Sequence, residues 1–181
     1  MRGLIERYVR EMVKIPSTSN TETEKSCADY IAEELAKQPY FKEYPEQTGK
    51  YLLPEDSFGR SVPWGLVKGR NGSRKTIILT GHYDVVDTEE YGNERALAYD
   101  VEKWEDLVKS GNALPGMPEE VKEDFLSGDW MFGRGTADMK GGLSVGLVLL
   151  DWYGKIVAEA EGKACSVAVS EAEVTSELGD A

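Results

Sequence analysis

The stretch from Lys75 to Val86, KTIILTGHYDVV, places the strictest constraint on what this chain can fold into. Its nearly continuous apolar run, residues 76–79, is typical of a strand buried on both faces in the centre of a parallel sheet. The run breaks at Gly81 and then presents His82 and Asp84. Ligands collect outside the carboxyl ends of the strands in open α/β sheets, so we expect the chemistry of the protein here.

His82 and Asp84 form the first candidate site pair. Residues two apart on an extended chain point the same way, so the Asp84 carboxylate can accept the spare N–H of the His82 imidazole. The other ring nitrogen is then left for a metal. His82 is the only histidine in the chain. The alternative interpretation is a histidine that is simply packed, which is the commoner role of this residue in a strand.

The acidic composition limits the classes of partner. A net charge of −12 and a pI near 4.6 argue against a nucleic-acid surface and against attraction to anionic lipid, but they are compatible with divalent cations. No apolar run reaches the roughly 18 residues of a membrane span, and the first residues lack the apolar region of a signal peptide. Cys27 and Cys165 lie far apart and outside any CxxC, which favours two reduced thiols and a cytoplasmic location.

Two helices are predicted at the start of the chain. The first carries one apolar stripe and ends at Pro16, and its stripe is expected to be core. Thr21 and Glu24 have the spacing of a capping box that would begin the second helix, which packs rather than catalyses.

The entry to the sheet is less regular. Residues 39–63 show no sustained period, so we predict loop or irregular edge structure there. Trp64 to Lys68 has the composition of a short strand. The turn residues Arg70 to Ser73 predict that this strand folds back as a hairpin onto residues 75–79.

Residues 87–128 form a long acidic segment. Their composition predicts a solvated surface insertion with two short helices, Val101 to Ser110 and Pro118 to Leu126. A metal-binding role for the carboxylates of this segment is the alternative.

A glycine-rich block, GRGTADMKGG at residues 133–142, follows a predicted short strand, Asp129 to Phe132. The next helix, Gly141 to Trp152, is apolar on most sides, so it is expected to be buried against the sheet with its N-terminus towards Asp138. Two glycines in its first turn cost about 1 kcal/mol each relative to alanine. Such a cost favours a backbone that must approach another group closely.

The last predicted strand, Ala164 to Val169, delivers Ser170 to Glu173 at its exit. Together with the elements above, it predicts a layered α/β/α domain. An imidazole, an aspartate and a glutamate cluster then lie at strand ends. Nitrogen and oxygen donors without thiolate are typical of Zn²⁺, Mn²⁺ or Co²⁺ in an open catalytic site.

Two motifs give the chain a family resemblance. GHYDVV at residues 81–86 and GRGTADMKGG at residues 133–142 resemble the signature blocks of the M20 metallopeptidases, the group of aminoacylases, desuccinylases and carboxypeptidases. The helix–PSTS–helix opening is similar to that family as well. SGDWMFGRG, which follows the acidic insertion, resembles its arginine-utilisation branch.

The resemblance implies roles for individual residues. His82 would bind one metal, Asp84 would hold the His82 ring, and Asp138 would bridge two metals in a dinuclear zinc, cobalt or manganese site. In the family a Glu-Glu pair follows the next strand, and its first member is the general base while its second binds metal. Aligned on residues 164–169, that pair falls on Ala172 and Glu173. The resemblance therefore implies Glu173 as a metal ligand and a general base that is missing.

The neighbouring Glu171 is not a ready substitute, because adjacent strand residues face opposite ways. Residues 1–181 are interpreted as the first part of the family's catalytic domain, with the acidic insertion at 87–128 and without the family's dimerisation domain. The family's remaining carboxylate ligand and its distal histidine are expected beyond Ala181.

Two functions are therefore predicted. The resemblance implies a metal-dependent hydrolase of amide, peptide or N-acyl amino-acid bonds that is impaired here, because loss of a general base alone costs about 10²- to 10⁴-fold in rate. The alternative is a catalytically incompetent fragment that serves as a metal-binding or interaction module. The expected partner is a small N-acyl amino acid or peptide, with no nucleic acid and no membrane. Uncovered sheet edges also leave association with another copy of the chain open.

Overall fold

The computed structural model describes residues 1–69, 76–111, 116–159 and 166–170. Within these ranges, six α-helices, four strands and two 3₁₀ segments follow one another, and the predicted α/β class is confirmed. In chain order they are α1 (Arg2–Val13), α2 (Thr23–Lys37), α3 (Pro39–Glu43), a 3₁₀ turn (Pro45–Gln47), β1 (Thr48–Leu52), β2 (Ser61–Val67), β3 (Thr76–Thr80), a 3₁₀ segment (Glu89–Leu97), α4 (Val101–Ser110), α5 (Glu119–Ser127), α6 (Lys140–Glu159) and β4 (Ser166–Ser170).

The four strands form one sheet in the order β1-β2-β4-β3. β2 is antiparallel to both β1 and β4, whereas β3 and β4 are parallel, with Ile78 opposite Ala168. The predicted hairpin between β2 and β3 is wrong, because β4 lies between them. A local turn signal shows that the chain reverses, but it does not say whether the next strand lies beside the previous one. The predicted turn residues 70–73 lie outside the described residues.

The position of β3 also differs from the prediction. Among the described strands it pairs only with β4, so it is an edge strand rather than a central one. Ile77 and Ile78 are 49% and 66% exposed, whereas Leu79 packs against the main core. The apolar run shows that the side chains of β3 favour burial. They can be buried only if other elements pack over the strand, and few elements in the described part of the chain do so.

Residues 39–63 are more regular than predicted. They contain α3, β1 and the start of β2. The loop prediction was wrong at β1, whose residues Thr48–Leu52 have little apolar content but pair along their whole length with β2. Pro63 is tolerated inside β2 because pairing with β4 begins only at Gly65.

The main core lies where α1, α2, α3 and α6 pack together and against β2. The predicted apolar stripe of α1 is buried at Tyr8, Val9, Met12 and Val13, whereas Leu4 at the start of the helix is exposed. α6 is longer than predicted and passes close to α3, since a Cβ atom at Gly154 would lie 2.6 Å from Tyr40 Cβ. The buried core residues include Met12, Ile31, Leu35, Phe41, Val67, Leu147 and Leu150.

The start of α2 differs in detail from a capping box. The helix begins at Thr23, and the Glu24 carboxylate accepts the backbone N–H of Asn20 at 2.6 Å. Glu24 therefore closes the loop before the helix, one residue earlier than the Thr21 spacing predicts.

The acidic segment 87–128 is not simply solvated. Its two predicted helices are confirmed as α4 and α5, but they enclose a small aromatic cluster of Trp104, Phe125 and Phe132. Phe132 reaches this cluster from a non-regular segment, so the strand predicted at residues 129–132 is wrong. None of the helices in the described residues is long and apolar enough to cross a membrane.

Candidate functional site

The backbone that leaves β3 is held by the first loop of the chain. Thr18 and Val85 form a parallel bridge. The Ser19 N–H donates to the Val85 carbonyl at 2.9 Å, and the Val85 N–H donates to the Ser17 carbonyl at 2.8 Å. The PSTS segment therefore acts as a short partner strand for residues 83–85.

This pairing fixes the alternation that was predicted from the sequence. Tyr83 and Val85 are buried. His82 and Asp84, at the alternate positions, remain partly exposed and lie close to each other. The apolar residues thus anchor the segment while the polar pair is available for chemistry.

The His82 ring contacts two aspartates. Its Nδ1 atom lies 3.1 Å from the backbone carbonyl of Asp84 and 3.2 Å from the Asp84 Oδ1 atom. Its Nε2 atom lies 2.9 Å from Asp138 Oδ1. The structure therefore brings together three of the four predicted site residues, and Asp84 is placed where it can orient the ring. Glu173, the fourth, lies outside the described residues.

The surroundings raise the pKa of His82 above its ordinary value. Burial of the ring lowers the pKa, but the hydrogen bonds to the Asp84 carbonyl and to Asp138, with the charges of both carboxylates, outweigh that effect. The metal-free site therefore favours the protonated imidazole.

Asp138 lies within the glycine-rich block, two residues before α6 begins at Lys140. Its side chain is 86% exposed, so it faces open solvent rather than the core. Gly135 has a positive φ of 81°, and a Cβ atom there would lie 2.7 Å from Val85 Cγ1. A Cβ atom at Gly141 would collide with the Thr136 carbonyl oxygen. The predicted close approach of the backbone is confirmed, and it brings Asp138 near His82.

Lys140 is a site-supporting residue that the sequence reasoning missed. Its side chain is fully buried, and its Nζ atom donates to the carbonyls of Met12 at 3.0 Å and Ile15 at 2.8 Å. Burial lowers the pKa of this amine. Lys140 is the first residue of α6, where a positive charge is unfavourable because it lies at the positive end of the helix dipole. This unfavourable position was the signal in the sequence that could have identified Lys140.

Ser19 was also missed as an individual residue, although its PSTS segment was noted. Its hydroxyl donates to Asp84 Oδ2 at 2.6 Å. A hydroxyl that contacts a site carboxylate from 65 positions away cannot be identified from local spacing, because only the fold brings the two residues together.

The chemistry of the donors fits a divalent cation in part. His82 Nε2 and Asp138 Oδ1 are 2.9 Å apart, close to the separation of about 3.3 Å between two ligands of one tetrahedral zinc ion. Within the described ranges, however, no group of three or more His, Cys, Asp or Glu residues could hold a metal. These residues therefore supply two of the donors that a site would need.

Comparison with known proteins gives sequence relatives. No family model matches the chain. It is 33% identical over 146 residues to protein RocB of Bacillus subtilis, covering 81% of this chain and 25% of RocB. It is 39% identical over 141 residues to the uncharacterized protein YqjN of the same organism, covering 77% of this chain and 24% of YqjN. The chain thus spans about a quarter of the length of these curated relatives.

Solved structures share the fold. One is the M20 family metallo-carboxypeptidase Sso-CP2 of Sulfolobus solfataricus, with a TM-score of 0.53 and 20% identity over 92% of this chain and 30% of that one. Another is human carnosine dipeptidase 1, with a TM-score of 0.56 and 14% identity over 92% of this chain and 31% of that one. The predicted layered α/β fold is therefore confirmed.

Proposed function

We propose that this chain, which has the fold of the M20 metallopeptidases and is related to RocB and YqjN, provides part of the metal centre of an amide-bond hydrolase. The observation that carries the proposal is the contact of His82 with both Asp84 and Asp138 at the carboxyl end of β3. This is the edge of the sheet at which the sequence predicted the chemistry, and its His82 and Asp138 come from two motifs and lie 56 positions apart in the chain.

Each residue has a distinct part. His82 offers its Nε2 lone pair once that nitrogen has lost its proton. Asp84 holds the Nδ1–H and so fixes the ring and its tautomer. Asp138 offers a carboxylate oxygen on the open side of the site. Zinc, cobalt or manganese bound there supplies Lewis acidity that lowers the pKa of a water and polarises a carbonyl.

Glu173 is the third metal ligand in this proposal, and it follows β4 by three residues. Ala172 occupies the general-base position, where a methyl group can neither accept a proton from water nor return one to the leaving amine. We therefore infer that the chain hydrolyses its substrate slowly or not at all.

The proposed substrate class is N-acyl amino acids or short peptides. The names of the two solved structures, a metallo-carboxypeptidase and a carnosine dipeptidase, support this class without selecting a member of it. Within this class, the SGDWMFGRG motif favours the arginine-utilisation branch. The cytoplasm is the compartment we propose, on the basis of two widely spaced cysteines without a CxxC motif.

A second candidate function is a metal-binding or interaction module without turnover. The exposed side chains of Ile77 and Ile78 on the edge strand β3 favour it, because such an edge can pair with another chain.

Hydrolysis assays separate the two functions. N-acyl amino acids and dipeptides are incubated with added Zn²⁺, Co²⁺ or Mn²⁺ and with the wild-type chain, Ala172→Glu or His82→Ala. The hydrolase proposal expects at most slow turnover by the wild type, and none by His82→Ala. Ala172→Glu should raise turnover only in a longer version of the chain that also supplies the family's remaining metal ligands. Measurable turnover that is equal in all three chains contradicts the assigned roles. Absence of turnover by Ala172→Glu even in the longer version favours the module.

A further inference from the structure

We propose that Ser19 is a positioning residue of this site, whose hydroxyl fixes the Asp84 carboxylate so that its second oxygen faces the His82 ring. This inference rests on the proposed function, because it explains how the ring is held for a metal. It gives a role to one residue of the PSTS segment, which the sequence identified only as similar to the family's opening.

The contacts divide the two oxygens of Asp84 between two partners. Ser19 Oγ lies 2.6 Å from Oδ2, and Oδ1 lies 3.2 Å from His82 Nδ1. Oδ1 is buried and forms no hydrogen bond within the described residues, so its approach to the ring is a charge contact beside the hydrogen bond that Nδ1 makes to the Asp84 carbonyl. Because Ser19 occupies Oδ2, the carboxylate can turn only one oxygen towards the ring.

The Ser19 proton has a choice between two acceptors. Its oxygen also lies 3.2 Å from the Val85 carbonyl, but the contact with Asp84 is shorter by 0.6 Å. A hydrogen bond to a carboxylate is about twice as strong as one to a neutral acceptor. The hydroxyl therefore donates to Asp84.

The position of Ser19 is itself fixed by the fold. Its backbone N–H donates to Val85, and the preceding bridge between Thr18 and Val85 aligns the two segments. On the other side, the Asn20 N–H is held by the Glu24 carboxylate at the start of α2. Hydrogen bonds to Val85 and Glu24 therefore hold the backbone on both sides of the Ser19 hydroxyl.

Removal of the hydroxyl leaves Oδ2 without its donor and allows the carboxylate to rotate. The Nδ1 atom of His82 then keeps the Asp84 backbone carbonyl as a partner but loses the aligned charge. Loss of such an outer partner typically weakens metal binding by about 10- to 100-fold.

A purely structural role for Ser19 is the competing explanation, and the chain offers a matched control. Ser17 lies on the same segment, and its hydroxyl donates at 2.5 Å to the Tyr83 carbonyl without contacting Asp84 in any hydrogen bond that the structure records. Ser17→Ala therefore removes one hydrogen bond between the same two segments and leaves the carboxylate alone.

The test uses the single histidine of the chain as its reporter. The ring ¹⁵N shifts of His82 are recorded by NMR without metal, at one pH at which the ring is neutral, for the wild type, Ser19→Ala and Ser17→Ala. Zinc affinity is measured on the same proteins by calorimetry. A second pair, Ser19→Thr and Ser19→Val, differs only in the hydroxyl and decides the case if Ser19→Ala does not fold.

We expect Ser19→Ala and Ser19→Val to shift the Nδ1 signal and to weaken zinc binding about 10- to 100-fold. Ser19→Thr and Ser17→Ala should match the wild type in both measurements. An Nδ1 signal that is unchanged in Ser19→Ala, or in Ser19→Val if Ser19→Ala does not fold, overturns the inference. Failure of the wild type to bind zinc contradicts the proposed function instead, and the metal-free spectrum still decides the role of Ser19.

Discussion

His82 Nε2 lies 2.9 Å from Asp138 Oδ1, although 56 positions separate the two residues in the chain. The other ring nitrogen faces the Asp84 carbonyl at 3.1 Å. Both partners are acceptors, so a ring with a proton on each nitrogen satisfies both contacts. A metal at this site therefore competes with the proton on Nε2.

The first prediction concerns this proton. The pKa of His82 should lie above its ordinary value of 6.5, and Asp138→Asn should lower it because the mutation removes a charged acceptor from Nε2. An NMR titration of the only imidazole in the chain measures the pKa directly. Asp106→Asn, an exposed change in α4, is the control and should leave the pKa unchanged.

The sign of the linked stability follows from the same shift. Because the folded pKa is raised, the protonated ring adds stability that is fully present below about pH 6.5 and is lost as the pH rises through the folded pKa. The difference in the free energy of unfolding between the wild type and His82→Gln should therefore be largest below about pH 6.5. It should shrink as the pH rises through the folded pKa of His82. A His82 pKa below 6.5 would contradict the hydrogen bonds of the ring to the Asp84 carbonyl and to Asp138.

Lys140→Met should destabilise the fold, because it leaves the Ile15 carbonyl without its buried donor, whereas the Met12 carbonyl keeps the Ile15 N–H at 3.0 Å. An orphaned buried polar group costs about 1–3 kcal/mol. Lys155→Met changes an exposed lysine of the same helix and should alter the free energy of unfolding by less than about 0.5 kcal/mol. Urea denaturation of both variants provides the comparison, and equal losses would refute an anchoring role for Lys140.

Phe125→Ala should show that the acidic segment is packed. Phe125 is 0% exposed inside the aromatic cluster, whereas its neighbour Leu126 is 44% exposed. Truncation of a buried phenylalanine costs about 3–5 kcal/mol, so Phe125→Ala should lower stability far more than Leu126→Ala. Thermal denaturation measures the stability of both variants. Similar small losses of stability would instead support a solvated insertion.

Ile78→Lys tests the exposed edge. In a central, buried strand this change would prevent folding, but on β3 as described it should cost no more than about 0.5 kcal/mol. The added charge should also reduce any self-association through the edge strand, as sedimentation velocity would show. Ile31→Lys, at a buried position of α2, is the control that should not fold.

The elements that the sequence predicted well depend on local pattern. The stripe of α1 and the apolar content of α6 require burial wherever they pack, and both helices were predicted. The alternation at His82 and Asp84 follows from extended backbone, which the Thr18 bridge enforces.

The elements that it missed depend on distant partners. β4 enters the sheet between β2 and β3 after a long connection, and this order depends on contacts between distant segments. A turn motif between β2 and β3 cannot predict it. β1 forms because β2 pairs with it, although its own composition is polar. The contacts of Ser19 with Asp84 and of Lys140 with Met12 likewise join segments that are far apart in sequence.

The most direct test of the proposed metal centre is zinc-edge X-ray absorption of the zinc-loaded chain. Because His82 is the only histidine, imidazole scattering can come from no other residue. We predict a shell of nitrogen and oxygen ligands around the zinc at about 2.0–2.2 Å, with scattering from one imidazole. The imidazole scattering should be lost in His82→Ala. A sulfur shell at about 2.3 Å, or imidazole scattering that is absent from the wild type, would contradict a centre built on His82 and Asp138.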